Sequence, residues 1–580
     1  MKQSRSTSQP RLAPPRWLCL QLLVVMFTGL VLAGLMRPEL CGFSFDDGVY
    51  FMAAQSLAAG KGYLFAHEPQ IQGLVKYPPL FPLWLSIWLK GFPDFPQNLL
   101  ALKGLNILLA MGYLTVTGWL MHTVLRFRLD ITLIVLLLLG LNQAMVPVTI
   151  ELMSEPLFLV MMMSGLAVLL HRRPNPDHWP AMLSMAGGCV LLFYTRSIGV
   201  IAAAAVLLSL WRSGHGKAAL RTGLLILAGC LPWLIWVAVQ PDRTQWWHDG
   251  SGALIRNYNE SYLRSLLMDL KLEYTIPDLL SNGMAALYQG LLTLLFPIGL
   301  SRNPVLFVVG NTALIAIFLT TLLQGIRSVR ARWIWPDCLP PVFLALTVII
   351  LPLWSYLDDY PRFLLMVLPM LWWALLKPFQ ASRWGTVPQG FSGQLMQGGV
   401  IILLLLSLGS QGVQVQRRWQ TTRGNHLLIA PQTTPPWPLV SQKRDPTWQE
   451  MTEGFALIRR KIPPGEPLYT NLMAIPLSLY TDRPVPVQFI LMPRLKSLSS
   501  EEANRIWPEI SRTLARIQYE DMQRHGFRYI ISMPWISHGQ IQKTVHPFTQ
   551  VLLETYPESI QPVGETTHGL IRIYRFSPRE

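Results

Sequence analysis

Two adjacent carboxylates, Asp46 and Asp47, stand in the stretch FSFDDGVYF (43–51), a few residues beyond the first long apolar run of the chain. Further on, LVKYPPLFP carries Lys76 beside Tyr77, IELMSEPLFL carries Glu155, FYTRSIG carries Arg196, and SYLDDYPRFLLMVLP carries Tyr360 and Arg362. Each lies in a short polar stretch beside an apolar run. A carboxylate can take the proton of a hydroxyl, and lysine or arginine can hold a phosphate as it leaves, the arginine in bidentate fashion. Gathered on one membrane face, such acids, cations and tyrosines suit a reaction between a carboxylate base and a phosphate leaving group at the lipid surface. Each residue also has a plainer reading on its own. Asp46 and Asp47 could be the solvated end of a span, since a carboxylate at a span centre costs about 2.5–3.5 kcal/mol. Lys76 could be a snorkelling interfacial lysine, Ser154 and Glu155 the start of a helix opened by Pro156, and Arg362 a partner of Asp358 or Asp359.

The elements that must position these residues are membrane helices. Of 580 residues 51% are hydrophobic and 14% charged, where a soluble domain carries about 25% charge. Apolar runs long enough to cross a bilayer core of about 30 Å are read at 17–36, 99–125, 131–147, 156–171, 181–195, 197–211, 219–240, 303–325, 338–356, 362–377 and 397–412. The pieces PPLFPLWLSIWL (78–89) and MAALYQGLLTLLF (284–296) are short and proline-flanked, and read as re-entrant or interfacial helices. The count is eleven spans, or thirteen if both pieces cross.

Basic residues fix the orientation. Lys2, Arg5, Arg11 and Arg16 precede the first span; Arg126 and Arg128, Arg172 and Arg173, Arg212, Lys217 and Arg221, Arg327, Arg330 and Arg332, and Lys377 with Arg383 fall in every second loop thereafter. That is the positive-inside pattern, and it places the N-terminus in the cytoplasm and the loops holding Asp46, Glu155, residues 241–283 and Arg362 outside. The net charge of +16 is spread over these loops rather than gathered in a basic patch with exposed aromatics, which argues against a nucleic-acid partner. The N-terminal run reads as an uncleaved signal anchor. Cys19, Cys41, Cys189, Cys230 and Cys338 show neither CxxC spacing nor a pairing rhythm, so they imply no disulfide framework and no zinc site.

Beyond residue 412 the composition turns soluble. The tail alternates PLYTNL, a short helix around 473–480, RPVPVQFI and a long amphipathic helix opened by SLSSEE, where Ser499 and Glu502 fit a capping box, and GFRYIISMPW and LIRIYRF read as strands. The expected organisation is a polytopic α-helical membrane domain, 1–412, followed by an extracytoplasmic α/β domain, 413–580.

The ordered set FDDGVYFMAAQSLAAGKGY, KYPPLFPLW, SEPLFL, YTRSIG and YPRFLLMVLP resembles the C-type glycosyltransferases (GT-C) of the protein-mannosyltransferase and aminoarabinose-transferase superfamily, in their bacterial branch. The resemblance covers residues 15 to about 380; the tail segment FALIRRKIPPGEPLYTNLMAIPLSLYTDRPVPV is similar to the C-terminal region of such proteins. It implies a GT-C fold, a plasma (inner) membrane location, a polyprenyl-phosphate-linked sugar donor, and an extracytoplasmic acceptor that is a lipid, a glycan or a protein. It also implies that Asp46 takes the position of the catalytic base and that Asp47 replaces the family's glutamate. Glu155 matches the acid of the second outer loop, and Lys76 the lysine before Pro-Pro-Leu, here with Tyr77 between. Val49 stands where some relatives carry a basic residue, a role that would pass to Arg196 or Arg362. Phosphate leaves readily, so one base suffices where an ordinary glycoside needs two carboxylates. Lys76, Arg196 and Arg362 are the candidate phosphate ligands, with Tyr50, Tyr77 and Tyr360 as substrate contacts. Asp47 and Glu155 would orient Asp46, bind sugar hydroxyls or hold a divalent metal such as magnesium or manganese. A lipid-sugar flippase or a non-catalytic envelope polysaccharide assembly protein stays open as an alternative; a transporter would more often carry its charges near the bilayer midplane and show paired halves.

Overall fold

The computed structural model of the protein describes residues 14–578 except 66–67, 70–71, 242–244, 247–253, 263, 265–275, 296–333, 354–359, 377–390, 424–447, 471–473, 487, 492–499, 538–539, 546, 568 and 570. Its first half is a succession of helices: α1 (Pro14–Leu35), α2 (Asp46–Ala58), α3 (Leu80–Leu89), α4 (Leu99–Trp119), α5 (Leu129–Gly140), α6 (Met145–Ile150), α7 (Glu155–Arg172), α8 (Trp179–Thr195), α9 (Val200–Arg212) and α10 (Gly216–Val239). Then follow α11 (Ile276–Leu295), α12 (Leu339–Ile350), α13 (Tyr360–Leu364), α14 (Leu368–Leu376) and α15 (Phe391–Arg423).

Among the described residues four helices are long and apolar enough to cross a membrane, Arg16–Leu35, Leu99–Val124, Glu155–Arg172 and Gly216–Val239, with shorter apolar helices beside them. The protein is a multi-pass membrane protein. Its outer faces are apolar where a soluble protein would be polar: Leu23, Leu30, Leu108, Leu220 and Leu224 are exposed on α1, α4 and α10. Lipid gives helices little hydrophobic reason to associate, so polar side chains tie them. Gln21 Nε2 donates to Thr115 O at 2.7 Å, and Asn106 Nδ2 donates to Glu151 O at 2.6 Å.

Several expected spans change shape. The run 131–147 is not one helix: α5 ends at Gly140, a turn follows, and α6 begins at Met145. Asn142 makes the break, because its Oδ1 accepts from Ala144 N at 3.0 Å while its Nδ2 donates to Leu294 O at 2.8 Å. Those bonds satisfy backbone groups that a helix would have paired, and the turn is buried in protein rather than lipid. The run 362–377 divides likewise into α13 and α14 around residues 365–367. The short piece at 78–89 forms α3, ten residues long, about half the rise needed to cross. The piece at 284–296 is part of a longer helix, α11, with polar residues on its first turns. The expected span 303–325 lies outside the described residues.

Helix direction sorts the molecule into two ends. α7 starts at Glu155 and ends at Arg172; α8 runs back to Arg196; α9 returns to Arg212. Arg173 pairs with Asp337 at 2.8 Å and His215 with Asp177 at 2.9 Å at the basic end, a full helix length from Glu155 and Arg196.

The boundary expected after residue 412 falls inside α15, which continues through QGVQVQRRW to Arg423 because glutamine and arginine extend a helix readily. The tail contributes α16 (Trp448–Lys461), α17 (Ala474–Thr481), α18 (Ser500–His525) and α19 (Pro547–Thr555). Its sheet has the strand order Ile560–Glu565, Arg572–Phe576, Tyr529–Ser532, Leu468–Tyr469, antiparallel except for the last pair. Ser499 of the expected capping box lies outside the described residues. A second sheet joins the tail to the membrane part: tail strand Gln488–Leu491 pairs with Leu254–Asn257 of the 241–283 loop, which pairs with Gln245–Trp246.

Candidate active site

The loop before α2 decides which of the two adjacent aspartates faces the cleft. Gly42 has φ +87°, a left-handed conformation that glycine takes without penalty, and Phe45 has φ +59°. Asp47 holds this turn together. Its Oδ2 accepts from Gly42 N at 2.9 Å and its Oδ1 from Ser44 N at 3.2 Å, and the residue is 2% exposed. Neighbouring helical residues point about 100° apart, so Asp46 faces away from this turn. Behind the loop, Ser44 Oγ donates to Glu151, and Lys103 Nζ donates to Arg37 O at 2.8 Å and Leu40 O at 2.5 Å.

Asp46 is the centre of a largely buried ion cluster. Its Oδ1 accepts from the hydroxyls of Tyr258, at 2.6 Å, and Tyr77; its Oδ2 meets Arg362 Nη2 at 3.0 Å. Arg362 also reaches Glu155 Oε1 with Nη2 at 2.7 Å and Nε at 2.9 Å. Arg196 Nη1 lies 2.8 Å from the same Glu155 oxygen and donates to Ser154 Oγ at 3.0 Å, which in turn bonds the Tyr50 hydroxyl at 3.0 Å. Lys76 Nζ sits 3.4 Å from the centroid of the Tyr258 ring and 5.8 Å from that of Tyr77, a desolvated cation–π geometry. Asn259 locks that arrangement: its Oδ1 accepts from Val75 N at 2.8 Å and its Nδ2 donates to Gly73 O at 2.8 Å.

Burial pushes the Asp46 carboxyl up, but the Arg362 and Lys76 charges and the hydrogen bonds from Tyr258 and Tyr77 outweigh it and hold it well below the usual carboxylate range. Asp46 is therefore ionised. Burial, with the Asp46 charge next, pushes Tyr77 and Tyr258 well above the usual phenol range, so both remain donors. Beside the cluster lies a narrow recess of about 10 Å³ bounded by Tyr50, Tyr77, Arg196, Tyr262 and Phe363, room for about one water molecule.

No protein-family profile matches the sequence, and no curated protein matches it. Solved structures do. The Archaeoglobus fulgidus oligosaccharyltransferase tethered with an acceptor peptide containing the NVT sequon is 11% identical with a TM-score of 0.50, over 88% of this chain and 69% of that one. The chain has the GT-C fold. ArnT from Cupriavidus metallidurans bound to undecaprenyl phosphate is 12% identical with a TM-score of 0.48, over 98% of this chain and 100% of that one. The arabinofuranosyltransferase AftD from Mycobacteria is 12% identical with a TM-score of 0.46, over 98% and 40%.

Within this GT-C fold the structure gathers Asp46, Glu155, Lys76, Arg196, Arg362, Tyr50 and Tyr77 and leaves Asp47 out, its oxygens occupied by the loop. Tyr360 opens α13, but its side chain lies outside the described residues, as do Asp358 and Asp359. Tyr258 and Asn259 join the site without having been expected there, and Ser154, expected only as the start of a helix, bonds both Arg196 and Tyr50. The polar-aromatic stretch NYNESYL (257–263), isolated between apolar runs, is the signal that could have found the first two. The donor set does not suit a divalent cation: Arg362 fills the space between Asp46 and Glu155, and among the described residues no three metal-ligating side chains come together. The cluster is a guanidinium-bridged carboxylate pair.

Proposed function

We propose that this protein is an integral-membrane glycosyltransferase that moves a sugar from a polyprenyl-phosphate-linked donor to an extracytoplasmic lipid, glycan or protein acceptor, with inversion, using Asp46 as base. The observation that carries the reading is the largely buried cluster in which three cations, Lys76, Arg196 and Arg362, surround two carboxylates, Asp46 and Glu155. Its cationic excess suits a phosphate anion. The GT-C fold supports the same reading, its Archaeoglobus fulgidus neighbour being an oligosaccharyltransferase held with an acceptor peptide.

In this proposal the residues of the cluster divide the reaction between them. The donor phosphate draws Arg362 toward itself, and Arg196 and Lys76 complete the anion site. Asp46 Oδ2, released from Arg362, accepts the proton of the acceptor hydroxyl. The acceptor oxygen attacks the anomeric carbon opposite the phosphate, the bond from that carbon to the phosphate oxygen breaks, and the electron pair leaves with polyprenyl phosphate. Tyr77 and Tyr258 keep the base aimed. Glu155 Oε2 is buried with no hydrogen-bond partner among the described residues, which suits it to a sugar hydroxyl. The basic helix ends face the cytoplasm and the cluster and tail face outward across the plasma (inner) membrane, in keeping with the loop charges.

The experiment is release of undecaprenyl phosphate from a panel of mannosyl-, glucosyl- and arabinosyl-undecaprenyl phosphates by the purified chain in proteoliposomes, with a membrane lipid and glycan extract as acceptor. Asp46→Asn should lower turnover by at least about a thousandfold, as loss of an essential base does, while undecaprenyl phosphate still binds. Turnover at the parental rate in that variant removes the assignment. Movement of the intact lipid-sugar between leaflets with no bond broken would instead make the protein a flippase.

A further inference from the structure

Tyr480 belongs to the soluble tail yet is built into the loop that aims Asp46. Its hydroxyl donates to Glu39 O at 2.5 Å and accepts from Cys41 N at 3.0 Å. They flank Leu40, whose carbonyl takes the Lys103 bond, on the segment that goes on, through Gly42 and Ser44, to the Asp47 turn and Asp46. The ring is held in an aromatic box. Phe455 stacks on it with centroids 5.1 Å apart and planes 8° apart; Trp448 lies at 5.3 Å, Phe95 at 5.0 Å and Phe43 at 6.3 Å. Two of these rings come from the tail and two from the membrane part.

The same helix, α17, also presses on α2 directly. A Cβ on Gly48 would lie 2.2 Å from Ile475 Cγ2, and one on Gly42 would lie 3.1 Å from Pro476 N. Both glycines are thus at close approach to the tail, one of them two residues after Asp46. All of α17 is buried. On the other side of Asp46, the segment ending in Tyr258 continues the strand Leu254–Asn257, which pairs with tail strand Gln488–Leu491. The tail therefore grips both arms that meet at the carboxylate.

We infer that the tail is a working part of the active site and that Tyr480 is a positioning residue, fixing the 39–45 loop so that Asp46 faces the donor cluster. This rests on the proposed role of Asp46. Tyr480 touches none of the residues that hold the phosphate in that proposal, so its effect falls on the geometry of the base and not on donor affinity.

Tyr480→Phe keeps the aromatic box and removes both hydrogen bonds, leaving Cys41 N–H and Glu39 C=O unpaired at the loop. With the donor that the parental protein consumes from the panel above, kcat should fall about ten- to a hundredfold, the scale of a reacting group misplaced by about 1 Å. KM for that donor and the affinity for undecaprenyl phosphate should stay within twofold of the parental values. The acid limb of the kcat/KM profile should move to higher pH, because a displaced Asp46 loses part of the stabilisation from Arg362, Lys76 and the two tyrosines. N-ethylmaleimide should reach Cys41, 0% exposed in the parental fold, at least several times faster. Ile475→Ala, which loosens the contact with Gly42 and Gly48 without touching a hydrogen bond, should give the same split in weaker form; it carries the test if Tyr480→Phe fails to accumulate. A fall in melting temperature with parental kcat and an unmoved pH profile in the variants overturns the inference. If Asp46→Asn is inactive while Tyr480→Phe turns over normally, only this inference fails; if Asp46→Asn is fully active, the proposed reaction fails first.

Discussion

Asp46 and Asp47 are neighbours in sequence, and their surroundings give them opposite chemistry. Asp46 is held as an anion by Arg362 and Lys76, while burial raises the Asp47 carboxyl, whose oxygens are engaged by Gly42 and Ser44. Nothing in the dipeptide could have assigned these roles, because they depend on a glycine turn on one side and on residues more than a hundred positions away on the other. Glu151, behind the same loop, is a titrating member of the buried polar network. Burial, with the Asp47 charge next, pushes its pKa up to about 7. The folded chain then holds a proton that the unfolded chain releases, so this group's stabilisation is fully present below the ordinary glutamate value of about 4.3. It is lost as pH rises through about 7. Asp47, also raised, acts in the same direction. Glu151→Gln keeps an acceptor for Ser44 but cannot ionise. The parental melting temperature in detergent should therefore fall from about pH 5 to about pH 8, and the variant's should fall clearly less. Parallel curves would mean that Glu151 titrates alike in both states.

At the scale of elements, the hydropathy of the chain announced where helices would be and failed where they break. The run 131–147 is apolar on average, yet it divides at residues 141–144 because Asn142 bonds Ala144 N and Leu294 O instead of continuing the helix. A window average cannot register one asparagine whose partner is 152 positions away. Helix α11 was legible only as a short apolar piece, since its first turns are polar; its seat on the turn Leu351–Leu353 supplies what the pattern lacked. That seat depends on Gly283, where an added Cβ would lie 2.0 Å from the carbonyl oxygen of Pro352. The obstacle is backbone and cannot swing aside. Gly283→Ala should cost about 1–3 kcal/mol, the usual penalty for forced overpacking, and thermal melting in detergent would show it. An unchanged melt would mean that α11 does not sit against that turn.

At the scale of the whole molecule, the tail is coupled to the membrane part by strand pairing as well as by α17. Ile255 and Ile490 are partners in the antiparallel ladder, and such Cα pairs lie about 4.5–5.5 Å apart, within disulfide reach. With Ile255→Cys and Ile490→Cys together, and a protease site placed in 424–447, oxidation should keep the two fragments joined on a gel until a reductant parts them. Fragments that separate without reductant would refute the pairing. The sequence by itself determined that this chain carries many apolar runs long enough to cross a membrane, that basic residues recur in every second loop between them, and that Asp46, Lys76, Glu155, Arg196 and Arg362 belong to short polar stretches beside those runs. Hydropathy and charge are local sums, readable in a window of neighbours. Only the tertiary structure decided that Arg362 bridges Asp46 and Glu155, that Tyr258 joins them, that Asp47 turns away, and that a tyrosine from the C-terminal tail holds the loop. Those facts follow from helix packing and strand register, which bring residues 46, 155, 258 and 362 together, and set residue 480 on the loop before them, through contacts that no stretch of sequence contains.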